Sequence, residues 1–182
     1  GEDKLDCLSS RVQQCHPDAR IVHRLDMATS GLVVMARCAS SQRALNDAFA
    51  MRQVRKRYVA VVDGLLDPAC EDWAIIDFPI LLDWPNRPRR VIDPQGKPSS
   101  TRWRVLGHDL TEQTTRVELE PVTGRSHQLR VHLRAIGHPI VGDVLYAPPA
   151  LAAPRLMLHA NGLALLHPYD ARRLNFSSVA PF

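Results

Sequence analysis

Polar and apolar positions alternate along residues 101–106 (TRWRVL) and 114–119 (TTRVEL), the period of two expected of a half-buried strand. Residues 58–62 (YVAVV), rich in β-branched and aromatic groups, predict another strand. Residues 31–37 (GLVVMAR) form a short apolar run of the buried-strand type. Residues 41–53 differ: Ala44, Leu45, Ala48 and Phe49 recur at helical spacing, which predicts an amphipathic helix able to cover one face of a sheet. A second helix is predicted beyond Ser126, its candidate N-cap, with Leu129, Leu133 and Ile136 in line and Gly137 as its stop. Two further strands are predicted around 156–166 and 173–177. Residues 83–99 carry Pro85, Pro88, Pro94 and Pro98 together with Arg87, Arg89 and Arg90, a composition that opposes both helix and central strand. A loop or irregular hairpin projecting from the sheet is expected there.

Many strands with few intervening helices argue for an α+β fold, a single domain over 1–182 with a mixed, largely antiparallel central sheet flanked by helices and loops. With 182 residues and 45% apolar content, such a domain can bury its core without disulfides or metal. Cys7, Cys15, Cys38 and Cys70 show no C-x-x-C spacing, and the chain opens with no apolar stretch of signal or membrane-span length. Reduced thiols in a cytoplasmic protein are the simplest account. Cys15-His16 and the pair His127, His132 invite a metal, but residues five apart on a helix diverge by about 140°. No zinc-like ligand spacing accompanies them, so no metal site is expected.

The net charge of +4 and pI of about 9.1 suit a polyanionic partner without specifying one. Clustering says more. Arg52, Arg55, Lys56 and Arg57 crowd one segment, Arg87, Arg89 and Arg90 another, and Arg125, Arg130 and Arg134 a third. Any one cluster reads as a solvated face, whereas three in a small chain point to a phosphate-binding surface. Aromatic residues make up only 5%, which argues against a base-stacking platform and for a grip on the backbone.

Candidate chemistry concentrates in His23-Arg24-Leu25-Asp26-Met27-Ala28-Thr29-Ser30-Gly31. Asp, Thr, Ser and Gly favour turns, so Asp26 is expected on a loop, presented rather than packed, although an aspartate in a turn is also an ordinary local cap. His-Arg-x-Asp is shared with the kinase catalytic loop, but no Gly-rich loop, strand lysine or Asp-Phe-Gly segment accompanies it. The segment resembles the catalytic motif of the RluA family of RNA pseudouridine synthases, His-Arg-Leu-Asp-x-x-Thr-Ser-Gly, at all seven specified positions. Lys56-Arg57-Tyr58 resembles that family's Lys-x-Tyr element, and Thr123-Gly124-Arg125-Ser126-His127-Gln128-Leu129-Arg130 its Thr-Gly-Arg-x-His-Gln-Leu-Arg element. Gly142-Asp143-Val144-Leu145-Tyr146 and Leu158-His159-Ala160 extend the match over roughly 21–180. Asp83-Trp84-Pro85-Asn86-Arg87-Pro88 resembles the branch that gives the family its name, a dual-specificity enzyme of large-subunit ribosomal RNA and a transfer RNA anticodon stem-loop. The family's opening strands, with a Lys-Pro pair, are missing before the aspartate motif.

The resemblance implies isomerisation of uridine to pseudouridine in structured RNA, with no cofactor, by a monomer that neither binds a metal nor enters a membrane. It implies Asp26 as the catalytic carboxylate, Tyr58 as the base-facing aromatic and proton acceptor, and Arg125 as the group pairing with Asp26. Arg24 would occupy the space left by a flipped-out nucleotide, and Thr29, His127, Gln128 and Leu129 would shape the substrate pocket. Arg125 stands at the positive end of the predicted helix, where a cation gains nothing from the dipole, so a carboxylate partner would account for it. Two other readings stay open: a non-catalytic RNA-binding protein or chaperone on the same scaffold, and a glycoside or nucleoside hydrolase. The hydrolase would ordinarily pair two carboxylates across the bond, and none of the three motifs holds a second one.

Overall fold

The computed structural model describes residues 6–67 and 72–182. Cys70 and the opening residues 1–5, on which the thiol and leader expectations partly rested, lie outside them. Helix α1 (Leu8–Cys15), which the pattern had not indicated, buries no residue. Strands β1 (Arg20–Ile21), β2 (Ser30–Gly31) and β3 (Met35–Ala36) are short, and α2 (Ala39–Ala50) follows them. Then come β4 (Arg55–Asp63), β5 (Ala74–Asp77), β6 (Ile80–Leu82), β7 (Arg90–Ile92), β8 (Ser100–Asp109), β9 (Thr114–Pro121), α3 (Gln128–Ala135), β10 (Leu158–Leu166) and β11 (Arg173–Ser177).

The main sheet runs β11-β10-β4-β9-β8-β5, antiparallel throughout, with β2 added in parallel beside β10. β9 shows why the pattern worked. Thr115, Val117, Leu119 and Pro121 alternate inward with half-exposed neighbours, so one face of the strand joins the core. Trp103, Ala60, Val62, Val117 and Leu119 from the sheet meet Leu129 and Leu133 of α3 in the larger cluster. A second cluster joins Leu45 of α2 to Ala36, Val54, Leu163 and Leu165.

A register shift in β10 between His159 and Gly162 places Leu158 opposite Ala60 and Leu163 opposite Lys56. Both partners lie on the face of β4 that carries Tyr58, so α2 and α3 cover the same face of the sheet at separate places. The gap between them is where the site lies. On the opposite face Arg55, Arg57, Arg102 and Arg104 interleave with Glu118 and Glu120 as ion pairs.

Two expectations need correction. Residues 31–37 do not make one strand. Gly31 adopts φ +113°, a conformation open to glycine alone, and only Ser30–Gly31 and Met35–Ala36 pair, with different partners. Leu32 and Val34 still pack in the second cluster, which is why the run is apolar. Ser126 does not cap the second helix. His127 takes the N-cap position in the left-handed conformation (φ 57°), and Ser126 is exposed. The stretch 83–99 supplies the tip and return strand of an irregular hairpin that begins just before it: β6 and β7 pair, and Asp83 accepts hydrogen bonds from the Asn86 backbone and side-chain amides at the tip.

Candidate active site

The segment between β1 and β3 leaves the sheet, turns at Asp26 and returns. The Thr29 amide donates to the Asp26 carbonyl at 2.9 Å and closes the turn. Two anchors hold this excursion. At its start, the His23 imidazole stacks on Phe49 of α2, centroids 4.5 Å apart, and its Nε2 accepts from the Val34 amide at 3.0 Å. Burial, with the nearby Lys56 charge, pushes the His23 pKa down to about 4, so the ring is neutral and suited to accept. At its end, Ser30 Oγ lies 2.8 Å from His159 Nδ1 and takes a hydrogen bond from Arg155, while Gly31 runs alongside Ala160 of β10. An ideal Cβ on Gly31 would stand 2.3 Å from the Ala160 carbonyl oxygen, so no larger residue fits.

Opposite this loop, Thr123 to Gln128 form a turn organised by the buried Gln128 side chain. Its Oε1 accepts from the Thr123 hydroxyl (2.6 Å) and the Arg125 amide (3.0 Å), and its Nε2 donates to the Ser100 carbonyl (2.9 Å) and Thr101 Oγ1 (3.0 Å). With every polar atom engaged, Gln128 is a brace for the turn. Leu129, 6% exposed, belongs to the core and floors the cleft.

Asp26, Tyr58, Arg125, Arg24, Thr29, His127, Gln128 and Leu129 all line one cleft of about 270 Å³, completed by Lys56, Phe49, Pro121 and Leu158. Asp26 is the only carboxylate in that lining. The guanidinium that reaches it is not the one expected. Arg130 Nη1 stands 3.6 Å from Asp26 Oδ2, whereas Arg125 makes only two long contacts, 3.4 Å each, to the Pro98 carbonyl. The reason lies thirteen residues downstream. Asp143, its side chain fully buried, takes Arg130 in a bidentate pair at 2.7 Å and 2.7 Å. Asp143 Oδ1 also accepts the Leu145 and Tyr146 amides, and the Arg130 guanidinium lies 4.9 Å from the Tyr146 ring centroid. Burial works against the Arg130 charge, but the Asp143 hydrogen bonds and the two neighbouring carboxylates outweigh it and raise its pKa.

Tyr58 stands on β4 with its phenol turned into the cleft. Burial first, then the Asp26 charge, push its pKa up to about 12, so the hydroxyl keeps its proton at neutral pH. His127 Nδ1 is 2.7 Å from the Tyr146 hydroxyl, which itself accepts the Arg90 amide at 2.8 Å. Burial lowers the His127 pKa, against the opposing pull of Asp26, which favours the neutral imidazole. Arg24 is exposed at the rim with no ion pair among the described residues. Arg130 was legible as one of a basic cluster and as the last residue of the third motif, without an assigned task, and Asp143 and Tyr146 only through the short Gly-Asp-x-Leu-Tyr match. His159 and His23, which anchor the loop, stood inside matched motifs without an assigned task.

The arrangement can hold one nucleoside against an ionised carboxylate, with a neutral phenol and apolar walls around it. No group of His, Cys, Asp or Glu able to hold a metal occurs among the described residues, and none of their helices is long and apolar enough to cross a membrane.

Comparison with known proteins agrees with this picture. A family described as RNA pseudouridylate synthase matches residues 2–135. The dual-specificity RNA pseudouridine synthase RluA of Escherichia coli (strain K12) is 45% identical over 184 residues, covering 100% of the chain and 82% of that relative. The protein of the same name from Yersinia pestis is 45% identical over 180 residues, covering 97% and 85%. Among solved structures, human RNA pseudouridylate synthase domain containing 1 superposes with a TM-score of 0.81 at 33% identity, over 96% of this chain and 74% of that one.

Proposed function

Because the chain belongs to the RNA pseudouridylate synthase family and is an isomerase of uridine in RNA, we propose that the reaction takes place in the cleft at Asp26. The carrying observation is the line Asp143–Arg130–Asp26. A buried carboxylate fixes a buried guanidinium, and that guanidinium holds one charged oxygen of Asp26 at the edge of a nucleoside-sized space.

The reaction breaks the N1 glycosidic bond, turns the uracil while it stays bound, joins C5 to C1′ and removes the C5 proton. An ionised Asp26 serves whether it attacks the sugar or base directly or removes a sugar proton to open a glycal route. Arg130 supplies the standing counter-charge in either case, so the carboxylate is oriented before substrate arrives. Tyr58 offers its ring as a stacking surface for the uracil. As its phenol stays protonated to about pH 12, it can take the C5 proton only while passing its own onward. Arg125 lies across the mouth, placed for the ribose-phosphate, and Arg24 stands at the rim to fill the stack when the target nucleotide leaves it, a displacement costing a few kcal/mol. A lone carboxylate in the cleft speaks against a hydrolase.

The two bacterial relatives named above are dual-specificity RNA pseudouridine synthases, and the same breadth is proposed here: ribosomal RNA and a transfer RNA stem-loop, met in the cytoplasm by a monomer. Cys7, Cys15 and Cys38 are free thiols, consistent with a reducing compartment. Asp26→Asn is expected to abolish pseudouridine formation while RNA binding persists. An active Asn variant would overturn the assignment, and rescue of a deletion strain by that inactive protein would favour a chaperone role. Pseudouridine mapping in cells with and without the gene should show sites lost from two RNA classes.

A further inference from the structure

Next to the nucleoside cleft, and sharing Thr123, Gly124, Lys56 and Arg125 with it, lies a second groove of about 520 Å³ between the end of α2 and the start of β4. Its charged lining is Arg52, Arg55, Lys56 and Arg125 against one carboxylate, Glu120. That carboxylate is already shared by Arg55 (3.2 Å), Arg57 (2.9 Å) and Arg102 (3.4 Å). Asp26 is likewise engaged, by Arg130. Lys56 and Arg52 make no ion pair or side-chain hydrogen bond within the described residues. Lys56 Nζ lies over the Thr123–Arg125 turn, where an ideal Cβ on Gly124 would stand 3.6 Å from it, so the ammonium faces both clefts at once. Arg52 is exposed and held at φ 58° just beyond α2, its amide donating to the Phe49 carbonyl.

We infer that this groove is a phosphate subsite, in which Lys56, assisted by Arg52, binds a phosphodiester flanking the nucleotide that enters the Asp26 cleft. The inference rests on the reading that the target uridine occupies that cleft. The group next to a flipped nucleoside along the chain is its phosphate, and here the adjoining surface presents two cations with no protein counter-ion. A compact ammonium suits a single phosphate oxygen, and the flexible stem lets it follow the backbone as the base turns out. Burial and the neighbouring Arg52 charge lower the Lys56 pKa, a penalty that an arriving anion relieves.

The test uses the full chain and a product stem-loop chosen from the mapped sites, whose pseudouridine no longer turns over, with single methylphosphonates placed in turn along its backbone. Wild-type protein should lose about tenfold in affinity when one phosphate flanking the pseudouridine is neutralised. Lys56→Met should bind the unmodified stem-loop about tenfold more weakly, lose nothing further at that one phosphate, and show a salt slope smaller by about one. Lys56→Arg should recover most of the loss. Arg52→Gln, at an exposed position, gives an independent arm, expected to lose about threefold with partial silencing at the same or the next phosphate. Undiminished losses at every phosphate with an unchanged salt slope would overturn the subsite while leaving the uridine cleft intact. A silenced phosphate several nucleotides from the pseudouridine would instead overturn the placement of the uridine, and the flanking subsite with it.

Discussion

Arg130 carries two duties that a surface arginine could not. Its pair with Asp143 is buried, so removing the guanidinium leaves a buried carboxylate with two backbone amides and no counter-charge. Arg130→Met is expected to lower unfolding free energy by about 3–5 kcal/mol, read from urea denaturation, and a loss under about 1 kcal/mol would contradict the account. His23 yields a pH prediction. In the unfolded chain it titrates near 6.5 and in the fold near 4, so its contribution is complete above 6.5 and is lost as pH falls towards 4. Because the ring is only half-buried, the effect is discounted to no more than about 2 kcal/mol. Urea midpoints at pH 7 and 4.5 should therefore converge more closely for His23→Asn than for the wild type. The resemblance assigned the pairing with Asp26 to Arg125, whereas the arginine that stands beside it is Arg130. The choice is made through space by Asp143, and a left-handed His127 starts α3 at Gln128, leaving Arg125 outside the helix.

At the level of elements, the legible parts were those in which one periodicity decides. β9 alternates over its whole length, and α2 repeats its apolar groups against a single cluster, so both could be read directly. The run 31–37 misled because its apolar content reflects packing of Leu32 and Val34, while its backbone follows the demands of the Asp26 loop. Gly31 shows those demands most clearly. Gly31→Ala adds a Cβ into the Ala160 carbonyl at an unfavourable φ, and a loss of about 2–5 kcal/mol is expected from strain and overpacking together. Thermal melts should show it, and activity at a permissive temperature should fall further than the folded fraction does, because β2 positions the loop. Equal declines in both would mean that β2 merely adds stability.

For the molecule as a whole, the distribution of charge matters more than its sum. The net charge is modest, yet Arg55, Arg57, Arg102 and Arg104 on the far face of the sheet are engaged by Glu118 and Glu120, while Arg24, Arg52, Lys56 and Arg125 line the two clefts with no ion pair among the described residues. RNA affinity should therefore fall at least about a hundredfold between about 50 and 200 mM salt. A flat dependence would place the grip elsewhere than on phosphates. Composition alone could suggest a polyanion; only the fold shows which arginines remain free to meet it.

The contact between Ser30 and His159 spans 129 positions. At about 5–20 residues per second, the ribosome delivers His159 on the order of ten seconds after Ser30. Throughout that interval the nascent chain has only the first anchor of the aspartate loop, His23 against Phe49 and Val34, and lacks the second. The second anchor requires β10 to pair beside β2, so a chain stalled or cut before residue 159 should carry the whole aspartate motif and modify nothing.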